Sequence, residues 1–363
     1  MEKYLLDILS EYGINSEEIK YIKPFGNGHI NSTYKIRTFS DVFILQKINH
    51  NVFKNPYKLM ENIVAVTSFI KEKETKFNPG KENQTFTVIK TLSGDNLVYT
   101  ESGEYYRLQR CIDAITVESG NFDILLTVGE TFGRFQNQLA EFPANTLYEV
   151  IPNFHNTAKR YLDLEEAIKN NFKGRAALVE NEIKYARSFK DQTSIIVDGL
   201  DSGKIPLRVT HNDTKLNNVL LDKNTFKGIC VIDLDTIMPG SYLYDYGDAL
   251  RFAASSADED EHDLSKVFFD MDKFEAFTKG YVSQLKNKLT ESEIELMAFS
   301  VELMTYECGI RFLTDYLNGD TYFKIHYPKQ NLMRTKAQFA LAQDIHNKIP
   351  QMEKIINKYL KKC

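Results

Sequence analysis

Residues Val209 to Asp235 read VTHNDTKLNNVLLDKNTFKGICVIDLD, and this stretch limits what the chain can become more than any other. His211, Asp213 and Asn218 stand in an H-x-D-x-x-x-x-N pattern. Two apolar runs follow, Asn218 to Asp222 and Gly228 to Ile232, broken by Lys223, Asn224 and Thr225. Apolar runs separated by turn residues predict a β-hairpin. Its second strand would deliver Asp233 at its end.

The residue types suit one chemistry. Phosphoryl transfer asks little covalent work of a protein; it needs an acceptor oxygen aligned with the phosphate and negative charge neutralised. Asp213 is placed to take the acceptor's proton, while Asn218 and Asp233 offer the hard oxygens that Mg²⁺ prefers. Turns between strands are often rich in Asp and Asn for purely conformational reasons. A base, an amide and a second carboxylate in that order, with a hairpin between, form a far more specific signal than any one triplet.

The strings His211-Asn-Asp-Thr-Lys-Leu-Asn-Asn-Val, Val231-Ile-Asp-Leu-Asp-Thr and Pro239-Gly-Ser-Tyr-Leu-Tyr-Asp-Tyr-Gly-Asp-Ala-Leu-Arg resemble the aminoglycoside phosphotransferase superfamily of small-molecule kinases. The likeness extends to Gly26-Asn-Gly-His-Ile-Asn31, to Phe43-Ile-Leu-Gln-Lys-Ile-Asn49 and to Gly309-Ile-Arg-Phe-Leu-Thr-Asp315, so it covers most of the chain. It is closest to members that phosphorylate the anomeric hydroxyl of N-acetylglucosamine and N-acetylgalactosamine. The resemblance implies an α+β, protein-kinase-like two-lobed fold that uses ATP and Mg²⁺. It implies a nucleotide-binding N-lobe over 1–112 and a mostly helical C-lobe over 113–363 that carries the catalytic loop and the sugar. Asp213 would contact the sugar and act as base, with His29, Arg311 and Tyr322 as further sugar contacts. Homoserine, choline or an aminoglycoside stays open as the acceptor.

Upstream, Leu5, Leu6 and Leu9 at helical spacing predict a small helix ending at Gly13. Tyr21–Phe25, Thr33–Arg37 and Asp41–Lys47 read as strands, the first two joined by a loop with Gly26 and Gly28. Glycines there let backbone N–H groups approach phosphate oxygens. Asn31 stands where the protein-kinase loop has its third glycine. Lys47 ends the third strand, at the position of the lysine that meets the α- and β-phosphates. Asn55 and Pro56 read as the cap and first residue of a helix, whose Glu61 is either the partner of Lys47 or a solvated charge favoured near the helix N-terminus. Thr85–Leu92 and Tyr105–Ile112 complete the sheet.

Beyond that the periodicity is helical over 124–139, around 165–189, over 272–289, 292–317 and 338–360. Pro143–Leu164, including His155, reads as a surface connection, and Asp245 as a structural acceptor on the helix opening near Leu243. The helix over 292–317 is apolar on most sides, yet holds Glu307, Arg311 and Asp315 at i, i+4 spacing. That spacing fits an ion-pair ladder as well as a pocket. The run from Asp258 to Asp263 reads as a solvated acidic loop.

Composition narrows the class. A net charge of −5 argues against nucleic acid or an anionic membrane as main partner, since both need a basic surface. No apolar run approaches the roughly 18 residues of a membrane span, and the start of the chain resembles neither a signal nor a transit peptide. Four scattered cysteines form no C-x-x-C pair. The expectation is a reduced, cytoplasmic enzyme acting on ATP and a small sugar, with no obligate protein partner evident.

Overall fold

The computed structural model describes residues 3–26, 30–77, 85–285 and 287–361. In chain order the elements begin with α1 (Lys3–Glu11), β1 (Ile19–Pro24), β2 (Ser32–Thr38), β3 (Val42–Ile48), α2 (Pro56–Phe77), β4 (Val88–Ile89), β5 (Val98–Tyr99) and β6 (Tyr105–Arg110). Next come α3 (Phe122–Gln138), α4 (Thr157–Asn170), α5 (Glu180–Ser188), α6 (Ile195–Asp201), β7 (Arg208–Thr210), β8 (Val219–Leu221), β9 (Gly228–Val231) and β10 (Met238–Gly240). The chain continues through α7 (Tyr242–Ala253), α8 (Met271–Leu285), α9 (Glu291–Asn318) and α10 (Gln330–Leu360).

Two compact units emerge. The first combines Met1–Ile115, Glu141–Pro152 and Leu220–Pro239; the second holds Thr116–Ala140, Asn153–Val219 and Gly240–Cys363.

In the first unit an antiparallel sheet runs in the order β1-β2-β3-β6-β4, with β5 paired to β6. Leu5, Ile8 and Leu9 recur at helical spacing, so α1 lays one apolar stripe on Ile36, Leu45 and Leu108 of the sheet. Asn55 caps α2 as expected, its Oδ1 accepting from the Lys58 amide at 3.1 Å. The strand expected over Thr85–Leu92 is shorter, because Thr91 turns the chain: its Oγ1 accepts from the Asp95 amide at 2.9 Å. Local side-chain bonds of this kind compete with the ladder. β8 and β9 form the predicted hairpin, and Asp222 Oδ1 gathers the Asn224 and Thr225 amides in its turn.

The second unit is almost entirely helical. Gly129 on α3 and Gly280 on α8 let two backbones touch: a Cβ at either would collide with the carbonyl of Phe277 or of Leu126. α9 packs against α4, α7 and α10 and is buried around most of its girth, as its apolar composition predicts. The helix expected around 165–189 breaks into α4 and α5. Asn171 and Gly174 adopt left-handed backbone, with φ of 42° and 64°, and these two residue types enter that region at least cost. α4 also begins at Thr157, inside the stretch expected to be a connection, because the Asn156 side chain caps it.

Candidate active site

The loop that carries Asp213 hangs from α7. Asn212 has a φ of 65°, and the turn it makes is held by Asp245. That carboxylate accepts from the His211 amide at 2.9 Å, the Asn212 amide at 2.8 Å and Gln136 Nε2 at 2.8 Å. Burial pushes the Asp245 pKa up, against the charge of His211 and the N–H donors. One turn on, Asp248 accepts from the Thr214 amide at 3.1 Å. Asp245 is thus the structural acceptor anticipated, and its role follows from two backbone donors aimed at one carboxylate.

Asp213 stands half-buried between these anchors. Its backbone carbonyl accepts from Asn218 Nδ2 at 2.8 Å, so that bond uses the amide nitrogen of Asn218 and not its oxygen. Lys215 Nζ lies 2.9 Å from Asp213 Oδ1. Burial alone would lower the Lys215 pKa, but Asp213 outweighs it and holds the ammonium above its ordinary value. Lys215 was not singled out from sequence, although it lies two residues from Asp213.

His155 is no surface residue. It is buried, with Nδ1 2.8 Å from Glu307 Oε1 and Nε2 3.2 Å from the Asn212 carbonyl. Thr157 Oγ1 donates to Glu307 Oε2 at 2.5 Å. A Glu307–His155–Asn212 chain therefore ties α9 to the Asp213 loop. The acidic run is solvated only in part: Asp258 and Asp263 are exposed, whereas Glu259 and Asp260 are not. Glu259 pairs with Arg251 at 3.2 Å, which itself pairs with Asp248 at 3.0 Å. Asp260 accepts from Tyr327 Oη at 2.8 Å and Gln330 Nε2 at 2.7 Å. Cations and amides arriving from α7 and α10 consume these acids.

A pH dependence follows. Burial pushes Glu307 and Asp248 up, but His155 beside the first and Arg251 beside the second prevail, so both lie below the ordinary carboxylate range. A carboxyl depressed by folding contributes stability above its unfolded value of about 4 and loses it as pH falls through the folded value. We expect a melting temperature that is level down to about pH 5 and drops below about pH 4. Thermal scans across that range check it; an unchanged melting temperature at pH 3 would contradict the assignment.

Further along α9, the Arg311 guanidinium sits 5.5 Å from the Phe154 ring and 5.6 Å from the Phe323 ring. The ladder of Glu307, Arg311 and Asp315 does not form: Glu307 serves His155 and Thr157, and Asp315 serves backbone amides. Among the described residues no carboxylate is ion-paired with Arg311. Tyr322 follows on the loop after α9, 67% exposed and edge-on to Phe323.

In the first unit, Lys47 does not meet Glu61. Its Nζ bonds Glu104, which also accepts from Tyr106 Oη at 3.0 Å, and the Glu104 pKa is lowered chiefly by that Lys47 bond. The physical reason is register. Lys47 pairs with Tyr106 and Ile48 with Tyr105 across β3 and β6, so Glu104 lies diagonally opposite. Glu61 is exposed on α2 and bonds the Tyr148 hydroxyl instead. Its neighbour Asn62 is the buried polar group: Nδ2 donates to the carbonyls of Tyr148 at 2.8 Å and Ile237 at 2.9 Å.

Asp233 has left-handed backbone, φ 61°, and an exposed side chain. Two residues later Asp235 is buried, ion-paired with Arg107 and bonded to Asn31 Nδ2. Asn31 Oδ1 accepts from the Asn49 amide at 2.9 Å, so the residue in the third-glycine position is a bridge. Gly26 has a φ of 79°; Gly28 and His29 lie outside the described residues. Among the described residues no group of three or more His, Cys, Asp and Glu is arranged to hold a metal, and no helix is long and apolar enough to cross a membrane.

A model of the phosphotransferase enzyme family matches residues 22–277, more than half of the chain. Among similar solved structures is an aminoglycoside phosphotransferase from Alicyclobacillus acidocaldarius, with TM-score 0.62 and 12% identity over 97% of this chain and 96% of that one. Another is a microcompartment-associated aminopropanol kinase, with TM-score 0.58 and 14% identity over 97% and 98%. A spectinomycin phosphotransferase solved with ADP and spectinomycin has TM-score 0.54 and 13% identity over 93% and 97%. The fold is kinase-like, with a small antiparallel-sheet lobe and a helical lobe. The chain belongs to the phosphotransferase enzyme family; it is a small-molecule phosphotransferase that acts on an alcohol group.

Proposed function

We propose that this enzyme is an N-acetylhexosamine 1-kinase: it moves the γ-phosphoryl group of ATP to the anomeric hydroxyl of N-acetylglucosamine or N-acetylgalactosamine, giving the sugar 1-phosphate. The observation that carries the acceptor class is Arg311, whose N–H donors take no carboxylate among the described residues while its faces lie near two aromatic rings. A fork of unused donors between rings suits the hydroxyls and apolar face of a neutral sugar. It repels a cationic acceptor, and two of the acids in 258–263 that would attract one, Glu259 and Asp260, are engaged by Arg251, Tyr327 and Gln330.

In this reading Asp213 orients the acceptor hydroxyl and takes its proton, and Lys215 beside it adds positive charge where phosphate charge grows. Lys47, held by Glu104, meets the nucleotide's α- and β-phosphates, and Gly26 opens the loop that covers them. Asn218 Oδ1 and the Asp233 carboxylate are each hard oxygens of the kind Mg²⁺ prefers, and in this reading they are its protein ligands. Bound there, Mg²⁺ would neutralise phosphate charge. Asp235, committed to Arg107 and Asn31, positions the Asp233 segment. Glu61, bonded to Tyr148, is set aside as a nucleotide contact, whereas His29 and Tyr322 remain proposed sugar contacts.

The test is ADP release with ATP and Mg²⁺ against N-acetylglucosamine, N-acetylgalactosamine, galactose, homoserine, choline and kanamycin, with the product's position read by phosphorus NMR. A 1-phosphate from the N-acetyl sugars supports the reading. Turnover only on another alcohol would replace the acceptor and leave the phosphotransferase assignment intact. Lys47→Ala is expected to raise the KM for ATP about tenfold or more, the worth of a charged hydrogen bond, with the acceptor KM little changed. Equal rises in both would contradict that placement.

A further inference from the structure

We propose that Asp315 is a positioning residue for acceptor recognition, because its carboxylate builds the loop that carries Phe323, with Tyr322 edge-on beside it, to Arg311. This rests on the reading that Arg311 meets the acceptor. Asp315 is buried at the end of α9. Its Oδ1 accepts from the amides of Thr321 at 2.9 Å and Tyr322 at 2.8 Å. Its Oδ2 accepts from the Phe323 amide at 2.9 Å and Asn331 Nδ2 at 2.9 Å. The Asp315 carbonyl takes the Asp320 amide at 2.8 Å. One residue thus collects four successive N–H groups of the loop.

The same capture explains why Arg311 has no carboxylate partner among the described residues. An acid four residues on from an arginine ordinarily pairs with it across the helix turn. Three backbone donors converging on Asp315 offer stronger competition, since charge-assisted bonds in a buried site exceed an exposed ion pair. The loop is gripped from outside too: Asp320 pairs with Arg175 at 2.6 Å, and the Lys324 carbonyl accepts from Arg334 at 3.2 Å. Tyr322 and Phe323 are therefore held in one arrangement, with the Phe323 ring toward Arg311 before any acceptor arrives. Preorganisation of this kind lowers the ordering cost of binding.

Asp315→Asn keeps the shape but turns one acceptor oxygen into a donor facing N–H groups. In the full-length enzyme we expect the acceptor KM to rise about tenfold while the ATP KM stays within about twofold and kcat changes little, the pattern of lost ground-state binding. Hydrogen exchange over residues 318–326 should quicken, while exchange in α3 and α8 stays slow. Asp315→Ala should give the same pattern, more strongly. Retained protection at 321–323, an acceptor KM unchanged in the variant, or equal rises in both KM values would overturn the assignment. KM is measured on whichever acceptor the wild type turns over fastest, so failure of the wild type on N-acetylhexosamines would sink the substrate reading alone.

Discussion

Replacing Asp213 by asparagine is expected to lower kcat by about 10²–10⁴, the usual worth of a positioned general base. The substitution is nearly isosteric, and Asn218 Nδ2 donates mainly to the backbone carbonyl of residue 213, at 2.8 Å against 3.5 Å to the carboxylate. The loop should therefore survive, and ATP affinity should stay within a few fold. What disappears is the proton acceptor, together with the charge that pairs with Lys215. Steady-state kinetics with nucleotide binding measured separately would check it. Turnover near the wild-type rate would remove Asp213 from the chemistry.

The second large effect is expected at Asp245, which touches no substrate. Asp245→Ala strands the His211 and Asn212 amides and the Gln136 side chain, all buried. Each unsatisfied donor costs about 1–3 kcal/mol, so a loss of roughly 3–5 kcal/mol is expected, as for breaking a buried charged site. That is a large share of the 5–15 kcal/mol typical of a folded domain. Asp245→Asn retains one acceptor oxygen and should fall between. Denaturant titrations of the three proteins would show this order; a loss below about 1 kcal/mol in the alanine variant would mean that other groups hold the loop.

Much of the local structure around the candidate site was readable because its signals are local. The order of Asp213, Asn218 and Asp233 around a hairpin, the Asn55 cap and the acceptor role of Asp245 depend on spacing and residue type. Errors gathered where a side chain had several possible partners. Lys47 had a plausible acid in Glu61, one helix away, but β3–β6 register put Glu104 nearer. His155 read as a loop residue because nothing local reveals that α9 brings Glu307 to it. Asn31 looked like a departure from a glycine pattern, and only Asp235 and the Asn49 amide explain it. Asn62 gave one faint sign, an amide beside the apolar face of α2.

The sequence by itself determined the reaction class, the hairpin that follows Asn218 and the alternation of sheet and helix, since periodicity and turn chemistry act over a few residues. Tertiary structure decided which charges are spent on each other and which are left for a ligand. Buried polar groups must find partners, and the nearest donor in space can lie 150 positions away, as Thr157 does from Glu307. On α9 that choice set Glu307 on His155 and Asp315 on the loop. Packing left Arg311, between them, beside two aromatic rings and without a carboxylate partner among the described residues.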